Sequence, residues 1–525
     1  MSAHGRDERF VLAVDLGTGG PKVGLVSLTG TVAWQDHVAV ETRWLPGDGA
    51  VQDAERWWDV ICDATRRAVS SGAIRAEQIV AAAFTGQWAS TVPVDDKGQP
   101  VGDCVMWMDK RGAPYIRPII AGRVAGYAPK NALTWIRRTG AVPSPGGGDP
   151  ISHMLLLEHE RPEVARAARW YLEPVDYLTM RFTGVAAASH ASMTAAWLTD
   201  NRALDRMSYD EELVRLTGLD AAKLPPLRPT GSVVATVLDD VAVDLGLPAG
   251  VQVVTGTPDL HSATCGSGAV LDYETHMAIS TTSWISAPVP FKKTDIPHSI
   301  ASIPGVLPGR YLIANNHDTS GRCLEWLRDN VLADGTDVPD YALLTALAEA
   351  SPPGSGEVLF TPWLNGERSP VDDRRARGGF HNLSLATKRA DLIRAVLEGV
   401  AFNDRWLHTY VEKFVKRRLD PIRLIGGGAA SDLWCQIHAD VMDRTIERVH
   451  EPLHAGIRGA AIFAGLSLGA VRPDEVRGLV RVDATFTPDP STRATYDRLF
   501  DEFPKLYKVQ KGMFARLNRS RRPNS

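Results

Sequence analysis

Three turns in this chain carry the residue types that grip phosphate. In the first, the apolar run Phe10–Val14 ends in the carboxylate of Asp15, the glycine-rich turn Gly17–Gly20 follows, and a second apolar run, Val23–Val26, leads away. Both runs are of strand length and rich in β-branched residues, which predicts a β-hairpin with an anion-sized turn. Glycines let backbone N–H groups approach a phosphate, and Thr18 adds a hydroxyl donor. Asp15, at the strand end, suits a Mg²⁺ ion held through water. The turn runs strand to strand, so it is neither a Walker A loop nor a dinucleotide fingerprint, both of which open a helix. An ordinary tight hairpin is the alternative reading.

The second turn, Thr281–Ser283, lies between the strand-like stretches His276–Ser280 and Trp284–Ala287. The two halves of the chain thus each begin with a hairpin while sharing almost no sequence. Two such polar turns can clasp phosphates from opposite sides. The third turn is Gly426-Gly427-Gly428, after the short strand Arg423–Ile425 and before a helix that starts at Ser431 or Asp432 and runs to about Met442. A flat glycine surface beside a helix N-terminus suits adenosine and an α-phosphate.

The elements around these turns read as α/β. Thr31–Val40 predicts a third strand, and Asp53 caps a helix to about Ser70 with Trp57, Trp58 and Ile61 on its buried side. The buried strand Ile79–Phe84 delivers Gln87 and Trp88 at its carboxyl end, where open α/β sheets place ligand residues. Val105–Arg111 reads as another strand end, Tyr171–Thr183 as a strand feeding a helix, and Val251–Thr255 as a strand at a domain boundary. Leu392, Ile393, Val396, Leu397 and Val400 mark an amphipathic helix over Arg389–Trp406. The end, Arg516–Ser525, reads as basic and frayed.

At 525 residues the chain exceeds a single core and implies two large domains. A net charge of −4 gives no footprint for nucleic acid or an acidic membrane surface. Five scattered cysteines without a CxxC pair point to a reducing compartment and away from disulfides or zinc. With no signal peptide and no long apolar run, the expectation is a soluble cytoplasmic protein.

Six motifs in order, Asp15–Lys22, Trp107–Arg111, Pro174–Leu178, Asn365–Pro370, Arg394–Val400 and Ile425–Ala429, resemble the FGGY carbohydrate kinases, the xylulokinase branch in particular. The resemblance spans about residues 10 to 470. It implies an α/β fold of two actin-like, ribonuclease H-like ATPase domains flanking a central cleft: a sugar-binding domain over 1–250, a nucleotide-binding domain over 251–480 and a helical tail over 481–525. It implies transfer of the γ-phosphoryl group of ATP, with Mg²⁺, to a hydroxyl of a ketopentose or related polyol, with sugar and ATP as partners and a homodimer as the assembly. Carried over by residue, Asp259 falls on the catalytic base and Asp15 on the Mg²⁺ side. Thr18, Gly19, Lys22, Thr281 and Thr282 fall on the phosphates, and Gly427, Gly428 and Asp432 at the nucleotide end. Gln87, Trp88, Trp107 and Asp109 fall in the sugar pocket, and Asp259 also faces the substrate. On residue type alone Asp259 reads as a helix cap, Trp88 and Trp107 as core, and Asp109 with Arg111 as a surface ion pair. Glu367 and Arg368 read as a brace of the cleft.

Three departures from the family pattern bear on substrate and activity. Gln87-Trp88-Ala89 stands where Gln-Met-His is usual, and Leu260 follows the base in place of Asn or Gln, so two polar contacts to substrate are missing. Ser280–Trp284 lacks the glycines usual in the second hairpin, and a β-branched Thr281 resists positive φ. The alternatives are a sugar- or nucleotide-binding regulator with weakened catalysis and an ATPase that moves a partner. The expectation is an active kinase.

Overall fold

The computed structural model describes residues 7–124, 127–334 and 338–518. Strands β1 (Phe10–Gly17) and β2 (Gly20–Ser27) pair antiparallel from Phe10↔Ser27 to Gly17↔Gly20, so only Thr18 and Gly19 form the turn. Gly20 has φ +127°, and a Cβ there would lie 2.0 Å from the Val38 carbonyl oxygen. Strand β3 (Val32–His37) extends the sheet beyond β2. Helix α1 (Ala54–Ser70) follows, capped by Asp53, whose carboxylate accepts the Glu55 N–H. Strand β4 (Ile79–Gly86) then pairs parallel to β1 on its other side.

After helix α2 (Pro174–Thr183), strands β5 (Val233–Thr236) and β6 (Gln252–Val254) complete the order β5-β6-β4-β1-β2-β3, and a short strand β7 (Thr257–Pro258) pairs with the carboxyl end of β4. Side chains alternate along β1. Phe10, Leu12 and Val14 enter a core with Trp57, Ile61 and Phe84, while Val11 and Ala13 enter another with Ala81, Ala83, Ala263 and Ala460. Burial on both faces is why the strand reads as an unbroken apolar run.

Helix α3 (Asp259–Gly266) leads out of this sheet into a second lobe. Its hairpin, β8 (Thr275–Ile279) with β9 (Ser283–Ser286), precedes the long helix α4 (Arg389–Val415) and strand β10 (Ile422–Ile425). Helix α5 (Asp432–Met442), strand β11 (Ile446–Val449), helix α6 (Ala455–Ser467), strand β12 (Val482–Phe486) and helix α7 (Arg493–Leu517) complete it. The order is β9-β8-β10-β11-β12, with β10 parallel to β8. Each lobe therefore repeats one plan, a hairpin whose first strand takes a parallel partner.

The lobes join where α3 crosses α6 backbone to backbone. A Cβ at Gly459 would lie 1.8 Å from the Ser262 carbonyl oxygen, and one at Gly266 would lie 1.9 Å from that of Ala455.

Several expectations change. Strand β6 pairs with β4, so the first sheet extends past residue 250, to Pro258 in β7. The stretch over 481–525 is no appended tail: β12 is an edge strand, and Tyr496 and Phe503 of α7 are fully buried in the second core. Residues 519–525 of the basic end lie outside the described residues. Past Val105 the expected strand end is a turn, because Asp109 N–H closes back on the Met106 carbonyl. Residues 288–314, unassigned from sequence, form a four-stranded sheet of strands two to five residues long, too short for a period to show.

Candidate active site

The two hairpin tips are exposed at Gly19 and Thr281, while the strands behind them are buried. Among Ser280–Ser283 no residue has positive φ. The second turn therefore closes without glycine. The Ser280 N–H reaches the Thr282 carbonyl, and the segment behind it donates the Ser320 N–H to the Thr281 carbonyl and the Gly321 N–H to that of Ser280. Below it, Ser283 Oγ donates to Asp404 Oδ1 at 3.0 Å. Asp404 also faces His317 at 3.4 Å and His438 at 3.2 Å. Glu367 accepts from Asn403 at 2.6 Å and faces His317 Nδ1 at 3.2 Å. All of these side chains are buried. Burial pushes the His317 imidazole down, but Glu367 and Asp404 outweigh it and hold its pKa above the ordinary value. Glu367 is thus an internal brace of the second hairpin, and Arg368 sits outside it, 3.6 Å from Asp318.

Asp259 opens α3 as its first residue. The cap position belongs to Pro258, and Asp259 Oδ1 accepts the Leu260 N–H at 2.7 Å. Burial first, then the charge of Asp15, push its carboxyl up to about 7 against the pull of that N–H. Asp15 is itself raised by burial, with Lys22 and His37 opposing. The charge of Asp15 therefore reaches the Asp259 carboxyl. Gly456, on the first turn of α6, is what makes room: a Cβ there would lie 2.0 Å from Asp15 Oδ2. The Gly- and Ala-rich run Gly456–Gly469 suits close helix packing, but nothing in it points to the Asp15 carboxylate.

The remaining expected residues fall into three groups. Gly427 and Gly428 begin a short 3₁₀ turn after β10, and the Gly426 N–H donates to the Pro452 carbonyl. Lys22 Nζ reaches the Leu453 carbonyl at 3.2 Å, which ties the first hairpin to this glycine turn. Asp432 lies apart from the turn's interior, three-quarters exposed and paired with Arg448. Thr282 offers a half-buried side chain at the second turn.

On the sugar side, Gln87 is buried, its Nε2 3.4 Å from Gln52 Oε1 and its own Oε1 without a partner. Trp88 spends its Nε1–H on the Ser192 carbonyl at 2.7 Å, and with Trp284 and Ala314 it packs against Leu260, Ile303 and Leu312. The Trp88 and Leu260 departures thus form one apolar wall. Asp109 is corrected. It is completely buried, and its carboxylate accepts from the Ala50 and Arg111 N–H groups and from the Arg111 guanidinium, so it clamps the Trp107–Arg111 turn and is closed to a ligand. Nor is it a surface pair.

Two α/β lobes of this plan, with exposed hairpin tips and coupled carboxylates near their joint, define a two-domain actin-like ATPase fold. Residues 10–266 match the FGGY family of carbohydrate kinases, N-terminal domain, and residues 262–468 match its C-terminal domain. The chain belongs to that family. It is a sugar kinase, a phosphotransferase with an alcohol acceptor, and kinases of this family use ATP. It is 30% identical over 430 residues to the xylulose kinase of Streptomyces rubiginosus, covering 81% of each chain. It is 23% identical over 515 residues to the gluconokinase of Bacillus subtilis strain 168, covering 97% of each. The structure of ligand-bound xylulose kinase from Lactobacillus acidophilus superposes with a TM-score of 0.84 at 22% identity, covering 97% of this chain and all of that one. Among the described residues, no helix is long and apolar enough to cross a membrane.

Proposed function

We propose that the chain transfers the γ-phosphoryl group of ATP to a hydroxyl of a ketopentose or related polyol, with Asp259 as the base. The observation that carries this is the Asp259 carboxyl, held at about 7 beside Asp15. A base with that pKa takes a proton near neutral pH without binding it too tightly. As the acceptor oxygen forms its bond to phosphorus, its proton passes to Asp259 Oδ and the bond to the ADP oxygen breaks. Thr18, Gly19, Thr281 and Thr282 serve the phosphates, and the Gly427-Gly428 turn serves the nucleoside end.

The coupled pair Asp15 and Asp259 also fits Mg²⁺. That ion keeps waters and phosphate oxygens and needs only one or two carboxylates. Among the described residues, no set of three His, Cys, Asp or Glu side chains forms a fuller cage. Asp15 would hold the ion, which when bound supplies charge neutralisation on the phosphate oxygens.

The free Oε1 of Gln87 supports a hydroxyl donor on the acceptor, and the wall of Trp88 and Leu260 supports C–H contact where a hydroxyl partner is usual. The named xylulose kinase relatives favour a ketopentose. The non-catalytic alternative is motivated by Thr281, Trp284 and Leu260, and ordinary φ values at the second turn weaken the part that rests on Thr281 and Trp284. An ADP-release screen over ketoses, aldonates and polyols, with Asp259→Ala as control, tests the proposal. Sugar-dependent turnover that the substitution abolishes supports it, whereas tight sugar binding without turnover at any ATP concentration overturns it.

A further inference from the structure

Thr18 is the one hydroxyl in the first turn, and its oxygen already has a partner. The indole Nε1–H of Trp107 donates to Thr18 Oγ1 at 3.1 Å. An indole nitrogen only donates, so Thr18 accepts here and its own proton is left for another acceptor. The tip beside it is open, with nothing within 4 Å of where a Gly19 Cβ would stand.

The peptide of Thr18 is fixed as well. Gln52 Nε2 donates to the Thr18 carbonyl at 2.8 Å and to Thr42 Oγ1 at 2.9 Å. Gln52 Oε1 accepts from Trp57 Nε1 at 3.0 Å and from Gln87 Nε2 at 3.4 Å. This glutamine is completely buried, and every position of its amide is used. Trp107 is anchored through its own N–H to Ser90 Oγ at 3.0 Å. Two residues expected on the sugar side, Trp107 and Gln87, are thus one and two hydrogen-bonding steps from the phosphate turn.

Resting on the kinase reading above, we propose that Trp107 and Gln52 are positioning residues for phosphoryl transfer. They fix the rotamer and peptide plane of Thr18 so that its hydroxyl proton faces the transferring phosphate. Trp107 then acts on the phosphate rather than on acceptor affinity. A donor held in place before reaction stabilises developing charge without reorganising.

The test uses the full chain and its variants Trp107→Phe, Thr18→Val, Thr18→Ser, Gln52→Met and the double Trp107→Phe/Thr18→Val. Thr18→Val should lower kcat roughly 100-fold, the scale for loss of one oriented donor, while Thr18→Ser largely retains it. Trp107→Phe should lower kcat about tenfold and leave the acceptor KM within about twofold, the split expected when an interaction matters mainly in the transition state. In the double variant the two losses should fall well short of multiplying, because both act through one hydroxyl. Gln52→Met keeps the side-chain length, carries no charge and removes the donor to the Thr18 carbonyl. It should show the same fall in kcat at unchanged acceptor KM, which decides the matter if Trp107→Phe does not fold. A rise in acceptor KM at unchanged kcat, or losses that multiply, overturns the inference. Absence of turnover with every acceptor overturns the kinase reading instead. Calorimetric affinity for a non-hydrolysable MgATP analogue, which carries the third phosphate, then decides this inference, with non-additive losses supporting it and multiplying losses refuting it.

Discussion

Replacing Asp259 with Asn should abolish turnover and at the same time stabilise the protein, increasingly so as pH rises. The carboxyl moves from an ordinary 3.8 to about 7 on folding, so the native state favours its protonated form. The sign follows from linkage: the cost to folding is absent below pH 3.8, grows between 3.8 and about 7, and is complete above that. The full difference corresponds to at most about 4 kcal/mol, and partial exposure of the side chain reduces it, so about 2 kcal/mol is the figure to expect at pH 8. Asn keeps an acceptor for the Leu260 N–H and carries no charge. Melting temperatures of the two proteins, measured from pH 5 to 8.5 without divalent cations, should therefore diverge. At pH 8 the variant should melt about 2–4 °C higher, and at pH 5 the gap should fall by more than half. Added Mg²⁺ should narrow the gap at pH 8 by neutralising the charge. A gap that is flat with pH, or a variant that is less stable at pH 8, would refute the account of the Asp259 carboxyl.

Other consequences can be checked alongside. In the parent protein kcat/KM should rise with pH and then level off, since Asp259 must be ionised to act, with the plateau reached below pH 7 once Mg²⁺ offsets the Asp15 charge; a profile that falls from pH 5 to 7 would contradict this. Gly456→Ala should cost about 1–3 kcal/mol in urea unfolding and most of the activity, because the new methyl meets Asp15 Oδ2. Asp404→Asn should cost about 3 kcal/mol, since it removes the buried charge that faces His317 and His438 while leaving an acceptor for Ser283. The stability contributed by charged His317 should be fully present below its unfolded value of 6.5 and fade as pH rises through its raised folded value, and Glu367→Gln should flatten that dependence.

What was legible in the sequence was the plan of each lobe. The apolar runs around Gly17–Gly20 and Thr281–Ser283, the Asp53 cap and the Ser431 start of α5 each rest on local signals, and local signals survive into the structure. Helix α4 runs nine residues past its expected end at Trp406, to Val415, since no breaker stands there. The misses are non-local. The boundary at residue 250 fell too early because β6 and β7 have so few residues, and only their pairing with β4 assigns them to the first sheet. Asp109 looked available for substrate until Ala50, 59 positions away in sequence, was seen to occupy it. Thr281 looked obstructive because its glycine predecessors suggested positive φ, which the turn does not use. Gly456 opens the Gly- and Ala-rich stretch Gly456–Gly469, whose composition suits close helix packing against a sheet, but nothing local points to a carboxylate from the other lobe.

The crossing of α3 and α6 has a mechanical consequence. Helices held apart by large side chains interlock like gear teeth, and turning one against the other means rearranging rotamers. At Gly266 and Gly459 there are no teeth: smooth backbone rests on smooth backbone. Such a contact brings the two backbones closer than any pair of larger residues would allow. Ser262 lies three residues past Asp259 and Gly459 three past Gly456, the glycine that packs on Asp15, so the spacing of the backbones here sets how closely the Asp259 end of α3 approaches Asp15. A methyl added at either glycine would therefore push apart two carboxylates that it never touches.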